Sequence, residues 1–222
     1  FQIEYTLPTF EHSRLIEYLN EECDRFIRDV DKEELRHIID GRGRMKRFAK
    51  EELLSMRDVK RYANSLQNSY EKLAGNVVLC DLMNLEILRL MYKPVYDLLS
   101  LRWTQVLMEE EGFLRLYESS EERENDILYS QKVPSFEMNV QLKGMGYSEV
   151  EAKHIIWILN FLFPSSGLSK VYGAINNKDS IARYFYDTIQ DYDLPIEVFK
   201  GLWNKEYQYI KEEVDNKISK KY

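Results

Sequence analysis

Over most of the 222-residue chain, apolar positions recur every three to four residues, the spacing of amphipathic helices. Leu15, Leu19, Cys23, Phe26, Ile27 and Val30 share one stripe of a helix expected over about 11–30, and a shorter helix over 32–39 is closed by Gly41. Ser55 followed by Asp58 reads as an N-cap with an acid in the first turn, opening a helix to about residue 73. At about 100° per residue, Val59, Tyr62, Ala63, Leu66, Tyr70 and Leu73 fall on one side of that helix. Arg57, Arg61, Asn64 and Asn68 fall on the other. Residues 77–92 are almost wholly apolar and belong in the core, with Asp81, Glu86 and Arg89 paired or at the helix margin. Pro94 starts a further helix through about 103, and Ser148 with Glu151 forms a capping-box sequence for a helix ending near Pro164. Arg183, Tyr184 and Phe185 sit in a short helix. Pro195 opens a terminal one with Ile196, Phe199, Trp203, Tyr207, Ile210, Val214 and Ile218 in near-heptad spacing. Period two occurs only in residues 2–7, which stop at Pro8. The expected fold is therefore mainly α, with at most a short N-terminal strand.

Composition agrees with this reading. Nine glycines and five prolines leave few interruptions, and 44% hydrophobic residues suffice for a sizeable core. The net charge of −7 argues against a chain that binds nucleic acid over its whole surface, and leaves room for a local basic patch. The charge is uneven, however. Residues 41–61 hold eight cations against three anions, whereas 109–126 hold eight anions against Arg115 and Arg123. The acidic run reads as a solvated connector or helix face. It suggests a division into an exit segment (1–10), a helical subdomain (11–108), an acidic connector (109–147) and a C-terminal helical subdomain (148–222).

Candidate chemistry is sparse. Cys23 and Cys80 each lie in an apolar helical stripe and read as buried reduced thiols, as in a cytoplasmic protein. His12, His37 and His154 are scattered, so no structural zinc site is expected. The most apolar segment, 154–163, is short for a membrane span and carries Asn160. The chain opens on Phe1 without an initiator Met or a basic leader, which leads us to expect a piece of something longer. Phosphate-loop, dinucleotide, zincin and nucleophile-elbow motifs are absent, and Gly41 and Gly43 read as a turn before Arg44, Lys46 and Arg47. What remains is the strip of Arg57, Arg61 and Asn64. Two guanidinium forks one turn apart, backed by an amide, suit a phosphate or other oxyanion. The same pattern also fits a solvated polar face.

Three segments, taken together, resemble the C-terminal half of the KAP-family P-loop NTPases. The first is residues 1–8, similar to the strand and proline that leave that family's nucleotide-binding core. The second is residues 56–64, similar to its Arg-x-hydrophobic-Lys-Arg-aromatic-x-Asn helix; it is followed by the apolar helix with Asp81, Glu86 and Arg89, and by Pro94 and Tyr96. The third is residues 177–185, similar to its late Arg-Tyr-Phe motif. Residues 104–147 match nothing in the family pattern. The resemblance implies a helical lid or regulatory region, without Walker motifs of its own, from a parent ATPase of phage defence or of signalling at the cytoplasmic membrane face. ATP and Mg would then belong to the parent's core, with no cofactor in this chain. The resemblance also implies that Arg57, then Arg61, with Asn64, sense the nucleotide's terminal phosphate. The alternative is a helical module binding a protein or nucleic-acid partner through the basic segment 42–61, where Phe48 and Tyr62 are interleaved. A stand-alone enzyme built on the acids at 109–111 or 121–124 ranks last, because no His or Cys accompanies them.

Overall fold

The computed structural model describes residues 11–41, 48–116, 138–164 and 173–186, with 198, 201, 211 and 216 as isolated helical positions. The chain is mainly α, as the periodicity predicts. The helices are α1 (His12–Asp24), α2 (Asp29–Ile39), α3 (Met56–Leu73), α4 (Leu79–Met91), α5 (Lys93–Arg102), α6 (Met138–Gly144), α7 (Glu149–Leu162) and α8 (Ile181–Tyr186). Strands β1 (Leu107–Glu110) and β2 (Phe113–Leu116) pair antiparallel between α5 and α6.

Helix α4 is the central element. Every residue from Leu79 to Leu88 is buried, and α2, α3, α5 and α7 pack around it. An all-round apolar helix is stable only when neighbours cover every face, and here they do. Helix α1 packs on α3, and α6 on α7. The capping box expected at Ser148 is present. Ser148 Oγ accepts from the Glu151 N–H, and the Glu151 carboxylate accepts from the Ser148 N–H at 2.8 Å.

Two expectations are corrected. The continuous helix over 11–30 is broken at residues 25–28, with α2 starting at Asp29. Arg28 is extended (φ −61°, ψ 146°), and its N–H donates to the Tyr70 hydroxyl at 3.2 Å. That same hydroxyl donates to Asp31. A contact from α3 thus turns the chain where its apolar period alone would continue. Ile27 stays buried, but Val30 is 79% exposed.

The second correction is at the start of the acidic run. Residues 107–116 form a hairpin, not a plain connector or helix face. Its register pairs Leu107 with Leu116 and Glu110 with Phe113. The turn places both Glu111 (φ 52°) and Gly112 (φ 82°) at positive φ, as a tight two-residue hairpin turn requires. Leu107, Leu114 and Leu116 are buried while Glu109 and Glu110 are exposed, so the charge run conceals one buried face. The 173–180 segment clips this hairpin from outside: the Leu114 N–H donates to Asn176 O at 2.6 Å and the Lys178 N–H to Gly112 O at 3.1 Å.

Candidate functional site

Helix α3 carries the arginine strip. Its first turn is fixed at Ser55, whose Oγ accepts from the Asp58 N–H at 3.2 Å and donates to the Asp58 carboxylate at 2.6 Å. The apolar stripe is buried as expected, at Val59, Tyr62, Ala63, Leu66, Tyr70 and Leu73. Arg57, Arg61, Asn64 and Asn68 are all exposed on the opposite face. Their directions span an arc of about 60°, and Arg57 and Arg61 stand about 6 Å apart along the axis. Among the described residues no hydrogen bond or ion pair engages Arg57, Arg61 or Asn64. Lys60 is exposed beside them.

The rest of the basic segment behaves differently. Residues 42–47, and with them Arg42, Arg44, Lys46 and Arg47, lie outside the described residues. Lys50 directs its Nζ to the Ile39 carbonyl at 2.7 Å. The aromatics interleaved with these cations are core residues. Phe48 is 4% and Tyr62 0% exposed, their ring centroids are 5.6 Å apart, and the Tyr62 hydroxyl donates to Met83 O at 3.0 Å. Both rings are thus buried in the core and take no part in a basic surface.

Five other polar residues of the family-like segments, Asp81, Glu86, Arg89, Arg183 and Tyr184, are engaged inside the fold. Glu86 is 1% exposed and accepts from Ser65 Oγ at 2.6 Å, Ser69 Oγ at 2.8 Å and Arg89 at 2.9 Å. Arg89 also donates to the Tyr96 hydroxyl at 2.9 Å. Arg183 is 2% exposed and donates to Asn76 O at 3.2 Å. Asp81 accepts from the Ile175 N–H at 3.0 Å, and Tyr184 stands beside it, its hydroxyl donating to Gly173 O at 2.7 Å. Burial pushes the Asp81 carboxyl up to about 7, against the pull of the Ile175 N–H. These groups hold helices together and do not reach the strip's face.

One polar cluster was not visible in the sequence. Glu52 accepts from the Tyr92 hydroxyl at 2.5 Å through Oε2, and its Oε1 lies 2.9 Å from His154 Nδ1. Burial and then the Glu52 carboxylate raise the Tyr92 phenol well above its usual range. The three residues come from a 3-10 turn (Lys50–Glu52), the end of α4 and the middle of α7, and no local pattern links them. Glu52 and His154 border a cavity of about 530 Å³ also lined by Phe48 and Trp157.

Cys23 and Cys80 are both buried and neither is in a disulfide, and burial pushes the Cys23 thiol up to about 12, as in an unreactive core residue. Among the described residues no group of three or more His, Cys, Asp or Glu could hold a metal ion. No helix there is long and apolar enough to cross a membrane. Comparison with protein-family models, curated proteins and solved structures returns no match to this chain.

Proposed function

We propose that this chain is a helical lid or regulatory module whose α3 strip meets the terminal phosphate of a nucleotide held by another part of a KAP-like P-loop ATPase. One observation carries the reading: Arg57 and Arg61 are exposed, one turn apart, and unengaged among the described residues. A guanidinium already spent on an internal carboxylate, as Arg89 is on Glu86, has little left for a ligand. Arg57 and Arg61 stand on a helix anchored by a full apolar face, so swinging α3 toward a bound nucleotide would bring both forks with it. Each fork can take two phosphate oxygens and stabilise charge on the transferred group, with Asn64 adding an amide donor. ATP and Mg would be held by the other part of the ATPase.

The test is ATP hydrolysis by the longer protein carrying R57A or R61A. Loss by about 10³-fold in at least one variant is the expected result. Unchanged turnover and nucleotide affinity in both would remove the sensor role. The same substitutions separate the alternative partner-binding reading. Binding of duplex DNA by this chain that weakens steeply with salt and disappears in R57A would favour that alternative.

A further inference from the structure

The cavity between α2, the 48–53 segment and α7 has a volume of about 530 Å³, within the range of small-ligand sites. Ile38 and Phe48, both at most 4% exposed, give it an apolar floor, and Trp157 stands at its edge with 37% of its surface exposed. Its charged groups are of one dominant sign. Glu51 is exposed, and the Glu52 side chain is only 15% exposed. Glu52 is fixed from both sides: the Tyr92 hydroxyl holds Oε2 and His154 Nδ1 meets Oε1. A carboxylate offers about four acceptor positions, so two remain after these contacts. Lys50 also lines the cavity, but its Nζ is directed to the Ile39 carbonyl at 2.7 Å and pairs with neither carboxylate among the described residues, so two acids face one ammonium.

We propose that this cavity binds an organic cation, an alkylammonium or alkylguanidinium group. Its carbons would lie against Phe48 and Trp157, and its charge would face Glu52 and Glu51. An apolar floor alone would take any greasy group. The held carboxylate selects for positive charge, and an aromatic edge favours a cation carrying methylenes over a bare metal ion. The proposal is independent of the arginine strip and of any nucleotide.

The test is titration of the ¹⁵N-labelled chain, following the Trp157 indole N–H, with butylammonium, butylguanidinium, butanol and butyrate. Both cations should bind with saturation, at least tenfold tighter than butanol, and E52Q should weaken them at least tenfold. E52Q keeps an acceptor for Tyr92 and a polar group for His154. The exposed E51Q cannot disturb the fold and should weaken cation binding by a smaller factor. Butyrate is the stringent arm, because the basic residues 42–47 join the cavity's own Gly41 and Phe48 in the chain. Butyrate binding as tightly as the cations, or cation affinity unchanged in both E52Q and E51Q, would overturn the proposal. A capped lysine or arginine amide binding tighter than the free alkyl cation assigns the occupant to a protein side chain, and the reverse assigns it to a free amine.

Discussion

Asp81 sits in the first turn of α4 with 8% of its surface exposed, where a charged carboxylate is costly. The Tyr184 hydroxyl has one hydrogen and gives it to Gly173 O at 2.7 Å, while its oxygen accepts from the Val78 N–H at 2.9 Å. The Tyr184 hydroxyl lies 3.4 Å from Asp81 Oδ2, too far to hold the charged carboxylate strongly, and the Ile175 N–H at 3.0 Å is the closer donor to that same oxygen. Burial raises that carboxyl from its ordinary 3.8 to about 7 in the folded chain. A raised folded-state value means the folded state holds the proton more tightly. The associated stability is full below about 3.8 and is lost as pH climbs toward 7. In D81N the amide oxygen can take the Oδ2 position and accept from the Ile175 N–H, and the side chain is neutral at any pH. Thermal unfolding should show D81N gaining on the wild type between pH 5 and pH 8, by about 2–4 °C for each kcal/mol of difference. A constant gap between the two proteins would contradict this. Sequence predicted that the charges on α4 would be paired or marginal, but not with what. The Asp81 partners are 94 and 103 residues away, beyond any local pattern.

Helix α3 is the element read most fully in advance. Its cap, its buried stripe and its polar face all depend on spacing within 18 residues, which periodicity captures. Its two faces should separate cleanly under mutation. R57A and R61A remove exposed, unengaged side chains and should change stability by no more than about 0.5 kcal/mol. S55A removes the cap of the turn that carries Arg57 and should cost about 1 kcal/mol. Denaturant unfolding of the three variants checks both statements. A large loss in R57A or R61A would mean that these arginines serve the fold and not a ligand. Helix α1 shows the limit of the same method. Its apolar period continues through Val30, but the Tyr70 hydroxyl catches the Arg28 N–H and ends the helix early. The hairpin at 107–116 was hidden for a related reason. Glu109, Glu110 and Glu111 crowd its turn, and Glu109 pairs with the buried Leu114 on one face, so charge outweighed the leucines in the pattern.

At the scale of the molecule, the early helices and the late segment are joined through Tyr184. Its hydroxyl ties the α4 N-terminus at Val78 to Gly173, and Arg183 beside it reaches Asn76 O from a site 2% exposed. Y184F strands the Val78 N–H and the Gly173 carbonyl together and should cost about 1–3 kcal/mol. Hydrogen exchange should then quicken first around residues 78 and 173–175, ahead of α3. Uniform quickening across the chain would argue against this link.

The sequence by itself determined the mainly α character, the buried and exposed faces of α3 and the capped start of α7. Each follows from interactions among residues within about a few turns of one another. Only the tertiary structure decided where α1 ends, that residues 107–116 pair, that Asp81 meets Ile175, and that Tyr92 and His154 both hold Glu52 at the edge of a cavity. Those outcomes depend on which distant groups the packing of α4 brings within hydrogen-bond reach, and no spacing along the chain encodes that distance.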